Sequence, residues 1–92
     1  MAIHLRISGV VQGVGYRASF EAQARRLHLA GWVRNRVDGS VEAMVDGPTE
    51  AIDRIIAWSR RGPSQAHVSG VQVTAAEDAA LIPGRFDVLP TA

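Results

Sequence analysis

The stretch that decides the fold, WVRNRVDGSVEAMVDG at residues 32–47, predicts a β-hairpin. Asp38-Gly39 is typical of a tight turn, and the runs on either side of it have strand propensity. The second run alternates with a period of two residues, as a strand with one buried face does. Its inward residues are Val41, Ala43 and Val45, and the outward residues, which we expect to be exposed, are Glu42, Met44 and Asp46.

Before the hairpin, the sequence predicts one strand and then one helix. A period of two over residues 3–8 indicates a half-buried strand whose inward residues are Ile3, Leu5 and Ile7. From Arg17 to Leu29 the apolar residues recur at helical spacing, at Phe20, Ala24 and Leu27. We expect His28 on the polar side of this helix and Gly31 at its end.

After the hairpin, the sequence predicts a second helix and two further strands. Gly47-Pro48 opens the helix and Gly62-Pro63 ends it, with an inner stripe of Ile52, Ile55, Ile56 and Ser59. A strand follows from about Val68 to Thr74, with a bulge at Ser69-Gly70, and Phe86 to Val88 form a short last strand. The stretch rich in Asp and Ala between Thr74 and Ala80 predicts a mobile segment.

The order β-α-β-β-α-β with an added terminal strand predicts an α+β fold. Two helices on one face of a mostly antiparallel sheet satisfy this order, which is the ferredoxin-like split β-α-β arrangement. A chain of 92 residues fits one small domain, so we expect residues 1–92 to form a single unit.

Composition narrows the functional classes. The formal net charge of +1 is too balanced to indicate binding of a polyanion by its overall field, and we expect no nucleic-acid partner. There is no cysteine, which fits a reducing compartment and removes thiolate nucleophiles. No basic-then-apolar leader or long apolar run is present, so we expect a cytoplasmic chain that does not enter a membrane. We expect it to be a monomer.

The first loop, within GVVQGVGYRASF at residues 9–20, predicts an anion site. Three glycines fall within seven residues, which is more than one turn needs. The backbone amides of Gln12, Gly13, Val14, Gly15 and Tyr16 can converge on an anion at the helix N-terminus. Arg17 can place its planar guanidinium on two phosphate oxygens, whereas a cation in a first turn otherwise opposes the helix dipole. A simple strand-to-helix turn with a solvated Arg17 is the alternative.

Asn35 is the second candidate site residue. The first two long strands should run parallel with the third between them, so their carboxyl ends share one sheet edge. Asn35, near the end of the second strand, can then face the glycine loop. A neutral amide can hold a water molecule in line with a bound phosphorus without adding negative charge. The alternative is that this side chain satisfies backbone groups of the hairpin.

Other kinds of site fit the sequence less well. The loop lacks the Gly-Lys-Ser/Thr ending of a P-loop, and a G-x-G-x-x-A match lacks the acidic residue expected about 20 positions later. The three histidines, His4, His28 and His67, have no metal-ligand spacing, so we expect no metal site. An RNA-binding sheet would need aromatic residues where the third strand carries Glu42, Met44 and Asp46.

Two segments resemble the signature segments of the acylphosphatase family, small enzymes that hydrolyse the carboxyl-phosphate bond. GVVQGVGYR at residues 9–17 is similar to G-x-V-Q-G-V-x-aromatic-R, with Tyr16 where phenylalanine is commoner. GWVRNRVDGSVEAMVDG at residues 31–47 is similar to G-aromatic-V-basic-N-x-x-x-G-x-V, followed by a glycine six residues later. With the order of elements, the resemblance extends over essentially the whole chain.

The resemblance implies a cofactor-independent hydrolase acting on a small acyl phosphate. It implies that Arg17 and the amides of Gln12 to Tyr16 bind the phosphate and that Asn35 positions the attacking water. It implies no metal or organic cofactor. The alternative is a non-catalytic module that binds phosphate or carbamoyl phosphate, such as the similar domain at one end of larger carbamoyl-transfer maturation proteins.

Overall fold

The structure is a computed structural model that describes residues 1–76 and 81–92. Its elements are β1 (Ala2–Val10), α1 (Tyr16–Arg26), β2 (Ala30–Asn35), β3 (Val41–Asp46), α2 (Thr49–Arg61), β4 (His67–Ala76) and β5 (Phe86–Val88). The predicted order β-α-β-β-α-β with a terminal strand is confirmed. The predicted mobile segment is partly strand, because β4 continues to Ala76, and its remainder, residues 77–80, lies outside the described residues.

The five strands form one mixed sheet in the order β4-β1-β3-β2-β5. All neighbours are antiparallel except β2 and β5, so β1 and β2 run parallel on the two sides of β3. Val41 of β3 pairs with Ile7 on one side and with Asn35 on the other. The carboxyl ends of β1 and β2 therefore lie at the same edge of the sheet, as predicted.

The predicted bulge lies where β4 pairs with β1. Ser8 pairs with Gly70 and Gly9 pairs with Val68, so Ser69 is the extra residue on β4. Gly9 has φ 121°, and a Cβ there would collide with the carbonyl oxygen of His67. The close approach of the two backbones therefore requires glycine at this position.

Helix α1 is shorter than predicted. Its last residue is Arg26, and His28, with φ 58°, takes the left-handed conformation that turns the chain away. The amides of His28 and Leu29 donate to the carbonyls of Arg25 and Ala24, which is the Schellman arrangement. The prediction that Gly31 ends the helix was wrong, because Gly31 lies inside β2. The prediction that His28 lies on the polar side of the helix was also wrong, because His28 follows the end of α1.

Both helices pack on the same face of the sheet and enclose one core. Helix α1 buries Tyr16, Phe20 and Ala24, and α2 buries Ile52, Ile55 and Ser59. The sheet contributes its inward residues, which are Ile3, Leu5, Ile7, Val33, Val41, Ala43, Val45 and Phe86. Burial of aliphatic and aromatic side chains contributes about 1.5–3 kcal/mol each and fixes the position of α1 on the sheet.

The opposite face of the sheet carries an ion-pair cluster centred on Glu42. The carboxylate of Glu42 lies 2.6 Å from His4 Nε2, 2.7 Å from Arg34 Nε and 3.3 Å from Arg36 Nη1. Glu42 is therefore 9% exposed, and the prediction that it is exposed was wrong. We call these four residues the Glu42 cluster.

No helix in the described residues is long and apolar enough to cross a membrane.

Candidate active site

The loop between β1 and α1, residues 11–15, has backbone amides without backbone partners. Within residues 1–76 and 81–92, no backbone carbonyl accepts a hydrogen bond from the amides of Gln12 to Gly15. Gly13 and Gly15 have φ of 75° and 78°, the left-handed region that other residues rarely adopt. A Cβ at either position would meet nothing within 4 Å, so the space beside the loop is open. The loop therefore presents free N–H donors to an accessible space.

Helix α1 adds further donors at its first turn. Gly15 precedes the helix, no side chain caps it, and the first turn holds no acidic residue. The first amides of a helix have no acceptor within the helix and carry a partial positive charge. The loop and the helix start together form a stretch of donors from residue 12 to the first turn of α1.

Tyr16 fixes the start of α1 against the core. Its side chain is 1% exposed, and its hydroxyl donates a hydrogen bond of 2.8 Å to the carbonyl of Ser59 on α2. Its ring lies 5.4 Å from that of Trp58 and 6.3 Å from that of Phe20, measured between centroids. Burial raises the pKa of the Tyr16 hydroxyl well above its ordinary value, so it stays protonated and donates. The Tyr16 hydroxyl, which a phenylalanine at this position would lack, therefore anchors α1 to α2.

Arg17 differs from the arginines that are paired with carboxylates. Five arginines form ion pairs with carboxylates, namely Arg6, Arg25, Arg34, Arg36 and Arg85. Among the described residues, Arg17 has no carboxylate partner within 4.0 Å, and it is only half-buried. Its guanidinium is therefore available to a ligand beside the free amides of the loop.

Asn35, the last residue of β2, has a buried acceptor. Its Oδ1 atom is buried and has no hydrogen-bond partner among the described residues. Its backbone is held on both sides, by pairing with Val41 of β3 and by the amide of Ala92, which donates to its carbonyl at 3.1 Å. A buried acceptor without a donor costs about 1–3 kcal/mol. Such an atom is suited to accept a hydrogen bond from a water molecule or a ligand.

The side chain of Gln12 joins the loop to the hairpin, a contact that sequence reasoning missed. Its Nε2 donates to the carbonyls of Arg36 at 2.7 Å and Ser40 at 2.9 Å. Both acceptors follow Asn35 in the turn between β2 and β3. The sequence indicated a role only for the backbone of Gln12, because the acceptors of its side chain lie 24 and 28 residues away and no local pattern marks them.

One cavity of about 280 Å³ brings the candidate residues together. Of the residues predicted from the sequence, it is lined by Gln12, Gly13, Gly15, Tyr16, Arg17 and Asn35. Val14 is not among the lining residues and packs against the core instead. The sequence did not identify the remaining lining residues, which are Val11, Ala18, Glu21 and Val88. The cavity thus joins unpaired amides, one unpaired guanidinium and one buried amide oxygen.

A metal would have few ligands in the described part of the chain. No group of three or more His, Cys, Asp or Glu side chains lies close enough there to hold an ion. His4, one of the three histidines, is engaged by Glu42 on the other face of the sheet.

Comparison with known proteins gives one consistent family. The acylphosphatase family model matches residues 3–88. The chain is 57% identical over 88 residues to an acylphosphatase of Azoarcus sp. (strain BH72), covering 95% of this chain and 87% of that protein. The crystal structure of an acylphosphatase from Bacillus subtilis superposes with a TM-score of 0.86 at 31% identity, covering 96% of this chain and 97% of the other.

A larger protein contains a similar unit. The crystal structure of HypF from T. kodakarensis superposes with a TM-score of 0.79 at 27% identity. The match covers 98% of this chain but only 12% of that one. The likeness is thus to one part of a much longer chain.

Proposed function

The chain belongs to the acylphosphatase family and is an enzyme that hydrolyses acyl phosphates; we propose that Arg17, Asn35 and the loop amides carry out this reaction. The phosphate of the substrate lies on the amides of Gln12 to Tyr16 and against the guanidinium of Arg17. Asn35 orients the water that attacks phosphorus. The products are a carboxylate and inorganic phosphate. The alternative of a non-catalytic binding module is not favoured, because the curated relatives are named acylphosphatases.

The observation that carries the proposal is the set of groups around the cavity that have no partner. Arg17 is the arginine on this cavity and has no carboxylate partner among the described residues. The neighbouring amides of the loop have no backbone acceptor in that part of the chain either. Donors of this kind suit the three equatorial oxygens of a phosphoryl group, over which charge spreads in the transition state.

The buried oxygen of Asn35 supports this role. A water molecule that donates one hydrogen to Oδ1 keeps a lone pair free for phosphorus, and the attacking oxygen is held in place. The amide carries no charge, so it does not repel the anionic substrate as a carboxylate would. Positioning of the two reactants replaces a costly bimolecular encounter.

The leaving group explains why few catalytic groups suffice. The bond from phosphorus to the acyl oxygen breaks, and the acyl group leaves as a carboxylate whose conjugate acid has a pKa of roughly 4–5. Such a group needs no general acid. A phosphate oxygen of the substrate accepts the proton of the attacking water. By analogy with arginine fingers, Arg17 contributes on the order of 10³–10⁵ to the rate.

We further propose that the chain acts as a monomeric single domain in the cytoplasm, without a nucleic-acid partner. The described residues share one hydrophobic core, which supports a single domain. The absence of cysteine from the sequence fits a reducing compartment.

The proposal is tested by Asn35→Ala, assayed with benzoyl phosphate and with inorganic phosphate as a competitive inhibitor. We expect kcat to fall by about 10²–10³, as when one oriented group is removed from a transition state, while the inhibition constant of phosphate stays unchanged. The matched control is Gln72→Ala, which removes an exposed amide from β4, remote from the cavity lining. Loss of phosphate binding together with turnover would assign Asn35 to binding instead.

A further inference from the structure

Glu21 is the charged residue of the cavity that the proposed reaction does not use. Of the described residues that line the cavity, only Arg17 and Glu21 carry a formal charge. The side chain of Glu21 is 28% exposed, so its carboxylate belongs to the wall rather than to open solvent. Glu21 follows Arg17 by four residues on α1, and residues at this spacing share one helix face.

The carboxylate of Glu21 is held in place from the side of β5. Arg25 Nη2 lies 3.1 Å from Glu21 Oε2 and 3.2 Å from the carbonyl oxygen of Phe86, to which it donates. Arg25 itself is 63% exposed and does not line the cavity. Its charge is therefore better solvated than that of Glu21, and it cancels only part of the negative field inside the cavity.

An acyl group bound here lies within the field of Glu21. With the phosphate on the loop and Arg17, the acyl group attached to it must lie in the remainder of the 280 Å³ cavity or at its mouth. Charges closer than the Debye length of about 8–10 Å interact whatever the orientation of the acyl group. The other wall residues that are not part of the phosphate site, Val11, Ala18 and Val88, are apolar and add no charge.

We infer that Glu21 determines substrate specificity by selecting against acyl groups that carry their own negative charge. The preferred substrates are then acyl phosphates with a neutral or cationic acyl group, such as a simple carboxylic, carbamoyl or aminoacyl group. This inference rests on the proposed function, since it takes the phosphate to lie on the loop beside Arg17.

The test compares kcat/KM for benzoyl, 4-carboxybenzoyl and 4-(aminomethyl)benzoyl phosphate in the wild type and in Glu21→Gln. Because the three substrates differ in intrinsic reactivity, the measured quantity is the ratio of variant to wild type for each. We expect Glu21→Gln to raise the ratio for the carboxylated substrate by roughly three- to tenfold relative to the benzoyl ratio, and to lower it for the aminomethyl substrate. The preference should weaken between about 0.05 M and about 0.5 M salt.

Two further variants complete the experiment. Arg25→Gln removes the partial compensation of Glu21, so it should lower the ratio for the carboxylated substrate, the opposite of Glu21→Gln. Glu50→Gln is the matched control, because Glu50 is exposed in the first turn of α2, outside the cavity lining, and should leave all three ratios equal. The inference would be overturned if Glu21→Gln and Glu50→Gln changed the three kcat/KM ratios equally. It would also be overturned if the wild type preferred the carboxylated substrate and Arg25→Gln abolished that preference.

The outcome also separates this inference from the proposed site. If Arg17→Gln is inactive but Glu21→Gln has the same ratio of kcat/KM to wild type for all three substrates, only the role of Glu21 is refuted. Full turnover by Arg17→Gln would instead refute the phosphate site on which the inference rests.

Discussion

Arg17 in the cavity and Arg34 on the opposite face of the sheet have contrasting surroundings. Arg34 lies 2.7 Å from the carboxylate of Glu42, and its guanidinium stands 4.8 Å from the centre of the Trp32 ring. Arg17 has no carboxylate partner in the described residues and lies beside amides that have no backbone acceptor there. Arg34 is thus paired within the protein, whereas the donors of the cavity have no such partner among the described residues.

This difference matches the proposed division between residues that stabilise the fold and residues that act on the substrate. A partly buried charge that is paired contributes to the folded state, and removing its partner leaves an uncompensated charge. A preorganised donor without a partner contributes little to stability, but it is ready for the charge that develops in a transition state. Loss of an arginine should therefore lower turnover but not stability in the cavity, and stability but not turnover in the Glu42 cluster.

The largest expected effect is that of Arg17→Gln compared with Arg34→Gln. Arg17→Gln should lower turnover of benzoyl phosphate by about 10³-fold or more and abolish phosphate binding, with the urea unfolding midpoint unchanged. Arg34→Gln should keep turnover and lower the free energy of unfolding by about 1–2 kcal/mol. Steady-state kinetics and urea unfolding of both variants make the comparison. Full turnover by Arg17→Gln, or an inactive but folded Arg34→Gln, would remove the distinction.

A smaller effect is expected from acid on the Glu42 cluster. Burial alone would raise the pKa of Glu42, but hydrogen bonds from His4 and Arg34 outweigh it and hold the pKa below its ordinary value. Since the folded pKa is the lower one, the stabilisation is present above the unfolded pKa of about 4.3 and is lost as pH falls through the folded pKa.

The stability difference between the wild type and Glu42→Gln should therefore shrink as pH falls below about 4.3 and vanish below the folded pKa of Glu42. Urea unfolding as a function of pH measures this convergence. The carboxylate of Asp38 is present in both proteins, so its contribution cancels from the difference. A constant difference between the two proteins from neutral pH down to acid would contradict the assignment of that stability to the Glu42 carboxylate.

Regular sequence patterns made the fold predictable, whereas contacts between residues distant in the sequence could not be predicted from such patterns. Alternation over residues 3–8 and 41–46 gave the correct buried faces, and the irregular Ser69-Gly70 gave the bulge. The end of α1 was mispredicted because His28, rather than a glycine, adopts the left-handed conformation. Glu42 was mispredicted because its burial depends on the arginines and the histidine of two other strands and the hairpin turn, which alternation does not reveal.

The candidate site was predictable to the extent that backbone chemistry and motif spacing defined it. The glycine loop, Arg17 and Asn35 are named by their local sequence, and the cavity lies where β1 and β2 end, as expected from strand order. The hydrogen bonds of the Gln12 side chain and the place of Glu21 on the cavity wall were missed, since both depend on how α1 and the hairpin pack on the sheet.

The most direct test of the central claim is an NMR titration of the ¹⁵N-labelled protein with inorganic phosphate. If the unpaired donors form the phosphate site, the backbone amides of Gln12 to Tyr16 and the Nε–H of Arg17 should show the largest shifts, and the Glu42 cluster should stay unchanged. Shifts centred on Arg34 and Arg36, with the loop amides unmoved, would contradict the claim.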